Sequence, residues 1–292
     1  MADSPLVVNV NGRLVAGDAP AVSALDRGLL YGDGLFETIR VYGGVPFRLD
    51  AHLERLAASA AALRVADPLD TAAIANRVTE ALAANHLAGD AYVRITLTRG
   101  THTGALTLEP AATPTLIIVS KPLHAPPPER YERGIAAVVA SVRRNAHSPL
   151  ARHKTLNYLE SLLAKTEARD HGADDAVLLN TRGEVAEAAS SNLFIVRHGG
   201  LVTPPPDAGI LPGITRREVI GLAAEAGIAC DQRVVLPDEL AEADEVFLTN
   251  AIVELLPVRA IDGRPVGAGA PGPLTRRLHA AYRQAVADAV GS

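Results

Sequence analysis

Arg152-His153-Lys154-Thr155-Leu156-Asn157-Tyr158-Leu159 is the stretch on which the reading of this chain turns. An irregular segment with Ser148 and Pro149 precedes it, and apolar spacing beyond it predicts a helix over 155–170. That places Lys154 at a helix start, where the positive end of the dipole disfavours a cation. A neutral amine is the form that condenses with a carbonyl. Tyr158, one turn on, falls on the same helix face and brings a phenol to the same region. Lys165, further along, sits among Ala164, Thr166 and Glu167 and reads as a solvated position. By itself Lys154 reads at least as well as a surface lysine. Yet only three lysines (Lys121, Lys154 and Lys165) stand among 28 basic residues. Arginine serves equally for surface charge, but it stays protonated and cannot form an imine.

Downstream, Glu187 is followed by Ala188-Ala189-Ser190-Ser191 and then Asn192-Leu193-Phe194. Small side chains let a flat ring approach the backbone, and a carboxylate there suits a protonated pyridine nitrogen; an exposed strand-edge glutamate is the plainer reading. Gly209-Ile210-Leu211-Pro212-Gly213-Ile214-Thr215 leads into a helix beginning near Thr215. Its free N–H groups and the Thr215 hydroxyl make a phosphate cradle, while Thr215-x-x-Glu218 also matches a capping box. Phe247-Leu248-Thr249-Asn250-Ala251 puts small polar residues after a strand, with amides suited to an anion. Upstream, Arg55 in His52-Leu53-Glu54-Arg55-Leu56 reads as a phosphate clamp or a helix-surface charge.

Around these segments the chain alternates strands and helices. Asn11-Gly12 and Gly43-Gly44 mark hairpins, Asp50 suits an N-cap, and helices are expected at 71–86, 215–227 and 273–289. Lys121 to Glu129 carries four prolines (Pro122, Pro126, Pro127 and Pro128) and no apolar periodicity, which marks a linker. The expected organisation is an N-terminal α/β domain over 1–120, a linker at 121–130 and a C-terminal domain over 131–292. The class is α/β or α+β with mixed sheets.

Hydrophobic residues at 48% and charged residues at 21% describe a folded globular chain. A net charge of −5 gives no basic footprint for nucleic acid or anionic membrane. No run approaches the ~18 apolar residues of a membrane span, and Met1-Ala2-Asp3-Ser4-Pro5 has no secretory pattern. One cysteine, Cys230, fits a reducing compartment, so a cytoplasmic location is expected.

Taken in order, these segments resemble the class IV (fold-type IV) pyridoxal-phosphate-dependent aminotransferases. That family includes the D-amino-acid and branched-chain aminotransferases and 4-amino-4-deoxychorismate lyase. The resemblance runs from about Asn9 to Val258. It rests on Tyr31-Gly32-Asp33-Gly34-Leu35-Phe36-Glu37, His52-x-x-Arg55-Leu56, Lys154-Thr155-Leu156-Asn157, Glu187 with Ser191-Asn192-Leu193-Phe194, Gly213-Ile214-Thr215-Arg216, and Thr249-Asn250-Ala251.

The resemblance implies a two-domain fold with pyridoxal 5′-phosphate at the domain interface, usually in a homodimer whose pocket borrows residues from the neighbouring subunit. It makes Lys154 the Schiff-base lysine and proton shuttle, with Glu187 on the pyridine nitrogen and Tyr158 on the phenolic oxygen. Arg55, Ile214, Thr215, Asn250 and Ala251 would hold the phosphate. Tyr31, Phe36 and Arg94 would line the substrate pocket, and Arg27 and Arg94 are candidates for the substrate carboxylate. The spacing Lys154-x-x-Asn157 is similar to the D-amino-acid and lyase branch, whereas Leu211-Pro212-Gly213-Ile214-Thr215-Arg216 and Tyr92-Val93-Arg94 are similar to the branched-chain group. Gly104-Ala105-Leu106 stands where D-amino-acid enzymes carry an Arg-x-His carboxylate trap. The expected activity is ping-pong transamination between an amino acid or amine and a 2-oxo acid. The lyase, releasing pyruvate and p-aminobenzoate, is the alternative, and a non-catalytic binding protein on the same fold is a third.

Overall fold

The computed structural model describes residues 5–101, 107–108 and 113–291; Gly104-Ala105-Leu106 lies outside them. The chain groups into two compact units. The first comprises Met1–His124, His153–Asn157 and Ala289–Ser292, and the second Ala125–Arg152 with Tyr158–Asp288.

The first unit contains β1 (Val7–Val10), β2 (Arg13–Ala16), α1 (Arg27–Tyr31), β3 (Gly34–Tyr42), β4 (Val45–Pro46), α2 (Leu49–Ala62), α3 (Thr71–Ala84), β5 (Ala91–Thr98) and β6 (Thr115–Pro122). Its six strands form one antiparallel sheet in the order β2-β1-β6-β5-β3-β4. The expected mixture of strand directions is therefore absent from this sheet. Asn11 and Gly12 both take positive φ in the first hairpin, as a two-residue turn matched to strand twist requires. Leu35, Ile39, Val93, Ile95 and Leu97 point to the face that buries Leu53, Leu56, Ile74 and Val78 of α2 and α3. Full burial of each such aliphatic side chain stabilises the unit by about 1.5–3 kcal/mol. The helix α2 is capped by Arg48, at φ 56°, rather than by Asp50. Asp50 lies instead in the first turn, where its charge still complements the dipole.

The second unit contains α4 (Pro128–Arg133), β7 (Ile135–Arg144), α5 (Leu159–Asp170), β8 (Asp175–Asn180), β9 (Val185–Ala188), β10 (Asn192–Arg197), β11 (Gly200–Thr203), α6 (Ile214–Glu225), β12 (Cys230–Gln232), α7 (Pro237–Ala241), β13 (Glu245–Asn250), β14 (Glu254–Ile261), β15 (Arg264–Pro265) and α8 (Pro273–Gly291). Its nine-stranded sheet runs β12-β11-β10-β13-β14-β7-β8-β9, with β15 on β14. This sheet is mixed. The pair β7 and β8 is parallel because α5 carries the chain back between them. The helix packs on them through Ala164 and Ala168, whose small side chains bring it close to Ala140, Ala176 and Leu178. Phe194 and Phe247 face each other across β10 and β13 with rings 5.0 Å apart, while their strand neighbours Leu193, Ile195, Val246 and Leu248 join the aliphatic core on the other face.

The helix expected over 155–170 begins only at Leu159, so Lys154 does not stand at a helix N-terminus, and Tyr158 is the N-cap rather than a residue one turn along. Residues 154–156 find partners in β3 instead. Phe36 N donates to Lys154 O at 2.8 Å and Leu156 N donates to Gly34 O at 2.9 Å. Asn157 Nδ2 adds a bond to Gly32 O at 3.1 Å. These long-range bonds outcompete the local helical pattern, and the dipole argument for Lys154 falls with the helix.

Candidate functional site

In the first unit the lysine is carried by a short strand-like segment pressed against the start of β3. Gly34 makes this approach possible: a Cβ there would lie 2.6 Å from Leu97 O and 2.8 Å from Leu156 Cδ1. His153 Nδ1 lies 2.9 Å from Ser59 Oγ of α2, which ties the segment to a second element. With its backbone held on both sides, Lys154 places Nζ 4.3 Å from the centroid of the buried Phe36 ring. The Arg94 guanidinium lies 3.9 Å from the same centroid. An aromatic face attracts a cation, and the Phe36 ring has both an amine and a guanidinium within 4.3 Å of its centroid.

Adjacent residues of a strand point to opposite faces, so Glu37 turns from Phe36 toward α2. It is 1% exposed and accepts bonds from Arg55 Nε (2.8 Å), Arg55 Nη2 (2.7 Å) and His52 Nδ1 (2.8 Å). Burial alone would raise its pKa, but the Arg55 charge and the bonds from His52 and Arg55 bring it down from 4.5 to about 2. Arg55 is thus no simple surface charge; a buried carboxylate orients its guanidinium. Nothing in the local sequence marked Glu37 for this part, since its partners lie 15 and 18 residues away.

Arg27 donates from Nε to Asp33 at 2.8 Å, and its guanidinium lies 5.3 Å from the Tyr31 ring centroid. Asp33 also accepts from Arg99 Nε at 2.8 Å. Against the raising effect of burial, hydrogen bonds from Arg99 and Arg27 hold Asp33 below the usual carboxylate range. Tyr31, on the short α1, is exposed.

In the second unit Glu187 lies in β9 and is buried, not exposed at a strand edge. Arg144 Nη2 donates to its Oε1 at 2.9 Å, and Leu211 N donates to its Oε2 at 3.1 Å. Burial, with the Glu187 carboxylate nearby, pushes the Tyr158 phenol above its ordinary value despite Arg144. Tyr158 is therefore a hydrogen-bond donor at neutral pH. The helix α6 starts at Ile214 with Gly213 as N-cap and no side-chain cap, so the Thr215-x-x-Glu218 capping box is not formed. Thr215 lies inside the first turn, leaving the helix terminus to an outside anion. Asn250 organises the turn after β13: its Oδ1 accepts from Ile252 N (2.8 Å) and Val253 N (2.9 Å), and its Nδ2 donates to Ser191 Oγ (2.9 Å). Ala251 sits within that turn.

The donor set fits pyridoxal phosphate. Taken by itself, the first unit carries an amine, Lys154, and an arginine, Arg55, oriented by a buried carboxylate. Taken by itself, the second carries a buried carboxylate, Glu187, flanked by Ala186, Ala188 and Ala189, and a helix N-terminus without a side-chain cap.

The family model for amino-transferase class IV matches residues 34–261. A putative branched-chain-amino-acid aminotransferase of Methanocaldococcus jannaschii is 41% identical over 281 residues, covering 94% of this chain and 95% of that protein. A D-alanine aminotransferase of Bacillus licheniformis is 34% identical, covering 94% and 95%. The branched-chain amino acid aminotransferase of Thermobaculum terrenum, solved in its PLP form, superposes with a TM-score of 0.85 at 33% identity, covering 97% of this chain and 94% of that one. The glycine turns, the lysine segment and the buried glutamate thus belong to an enzyme: this chain is a member of the class IV aminotransferases, a pyridoxal-phosphate-dependent transaminase of fold type IV.

Proposed function

We propose that this enzyme transfers the amino group of a branched-chain amino acid to a 2-oxo acid, with Lys154 as the residue that binds the cofactor covalently and moves the proton. The observation that carries this reading is that Lys154 Nζ and the Arg94 guanidinium both lie over the Phe36 ring, 4.3 Å and 3.9 Å from its centroid. When bound, pyridoxal phosphate supplies an aldehyde that captures the donor's amine and a ring that takes up the electron pair released at Cα. Lys154 would hold the cofactor through its amine and, once that amine is free, would carry the proton away from the substrate Cα and back to the carbon that bears the aldehyde. Arg94 holds the substrate carboxylate, with Arg27 as the second candidate, and Phe36 and Tyr31 bound the side-chain pocket. Glu187 bonds the ring nitrogen and Tyr158 donates to the ring oxygen. Arg55, the amides at Ile214 and Thr215, and the turn at Asn250 and Ala251 hold the phosphate. A second oxo acid runs the same steps in reverse, in a ping-pong scheme.

Two domains, 1–120 and 131–292, joined at 121–130, belong to this reading; the change of compact unit at His124 and Ala125 supports the boundary, while His153–Asn157 and Ala289–Ser292 group with the first unit. So does a homodimer. Leu29 and Leu30 of α1, at 71% and 49% exposure, and Leu159, Leu162 and Leu163 of α5, at 54–67%, present apolar surface that a second copy would cover. Among the described residues no helix is long and apolar enough to cross a membrane. The lone half-buried Cys230 is consistent with work in the reducing cytoplasm.

The higher identity to the branched-chain relative than to the D-alanine relative favours the substrate class. The test is a half-reaction screen of leucine, isoleucine, valine and D-alanine against the cofactor-loaded protein, followed by absorbance. Branched-chain donors should change the spectrum fastest, and borohydride should fix the cofactor on the peptide containing Lys154. Preference for D-alanine would overturn the substrate, and a Lys154→Ala protein that still traps cofactor would overturn the lysine. Release of pyruvate without an acceptor would restore the lyase.

A further inference from the structure

Asn192, the first residue of β10, is buried and reaches two parts of the second unit at once. Its Nδ2 donates to Leu211 O at 2.8 Å and lies 3.4 Å from Glu187 Oε2. Leu211 N donates to that same Oε2 at 3.1 Å, so carboxylate, amide and turn form a closed set of contacts. On its other side Asn192 Oδ1 fills the place a side chain at Gly213 would take: a Cβ there would lie 2.0 Å away. Gly213 is the N-cap of α6. The backbone beneath is fixed by the tight turn from Ala188 N to Ser191 O (2.7 Å) and by pairing of Asn192 with Thr249 of β13.

No other side chain of this size meets both demands. Leucine has the volume but donates nothing, so Leu211 O and Glu187 would lose a buried partner. Aspartate cannot donate when ionised and sets a second negative charge against Glu187. Glutamine is one methylene too long for the space at Gly213.

We propose that Asn192 is a positioning residue that fixes the Glu187 carboxylate relative to the N-terminus of α6, and so matches the group that takes the ring nitrogen to the group that takes the phosphate. This rests on the assignment of Glu187 and of Ile214–Thr215 given above. Its consequence is thermodynamic coupling: the phosphate, once seated, holds the turn that holds Glu187, so ring-nitrogen recognition is stronger with the phosphate present than without it.

The full-length chain, stripped of cofactor, is titrated with four compounds: pyridoxal 5′-phosphate, pyridoxal, and the analogue of each in which the ring nitrogen is replaced by carbon. In the unchanged protein the preference for the ring nitrogen should be larger by about fivefold or more in the phosphorylated pair. Asn192→Ser should weaken pyridoxal 5′-phosphate by roughly tenfold and bring the two preferences together. Asn192→Asp, which keeps the volume, should do the same if the serine variant folds poorly. Equal weakening of all four compounds, with the difference between preferences retained, is what a merely structural role gives, and it would overturn the proposal. If the unchanged protein shows no preference for the ring nitrogen in either pair, the Glu187 assignment fails first and takes this proposal with it.

Discussion

Replacing Glu37 by glutamine tests how Arg55 is held. The carboxylate is buried and bonded by Arg55 and His52, and its pKa falls from 4.5 to about 2. A carboxylate with a depressed folded-state value contributes stability above its unfolded value and loses it as pH falls toward the folded one. The shift corresponds to roughly 3 kcal/mol in full, of which about 2 kcal/mol is lost between pH 7 and pH 3. Glu37→Gln removes this titration, while Asp33 and the other carboxylates titrate in both proteins and cancel in the difference. The suitable assay is a urea series read by hydrogen exchange in peptides covering 34–42 and 49–62, which reports the opening of β3 and α2 rather than of the whole chain. Glu37→Gln should be less stable at pH 7, and its deficit should shrink by about 2 kcal/mol at pH 3. A deficit that is the same at both pH values would refute the ion-pair account of Arg55.

Three further outcomes are expected. Gly213→Ala forces a Cβ against Asn192 Oδ1, so cofactor affinity should fall by about tenfold or more, through about 1–3 kcal/mol of strain; fluorescence titration measures it. Tyr158→Phe removes a phenol held protonated by burial, and kcat should drop about tenfold with the covalent cofactor link retained; steady-state kinetics beside borohydride trapping separates the two. Leu162→Asp puts a charge on the exposed apolar face of α5; with the proposed homodimer, sedimentation should show dimers for the unchanged protein and monomers for the variant.

Much of the fold is legible where structure is local. Asn11-Gly12 sets its hairpin by its own φ requirements, and the long β3 follows from its strand formers. The family is legible because several separate motifs occur in one order, although each is weak alone. The setting of Lys154 is not legible. Its periodicity is helical, but its backbone bonds go to Gly34 and Phe36, more than a hundred residues upstream. The same holds for Glu37, a carboxylate in an apolar strand whose meaning appears only when α2 folds over it. The Thr215 capping box fails for a different reason: Gly213 already occupies the cap, and the two hydroxyl-bearing and acidic residues fall inside the helix. Short elements such as β11 and α7 carry too few residues to show a period.

The close approach of Asn192 to Gly213 also constrains how this family can vary. The two positions share one volume, so neither can enlarge unless the other shrinks. In a library randomised at both, the survivors should carry paired rather than independent replacements, with any side chain at 213 accompanied by a smaller one at 192. Such a pair would keep the space filled but forfeit the amide's bonds to Glu187 and Leu211. The path of substitution through these positions is therefore narrow: drift in one proposed cofactor contact carries a correlated change in another, and single steps are purged before the compensating step arrives.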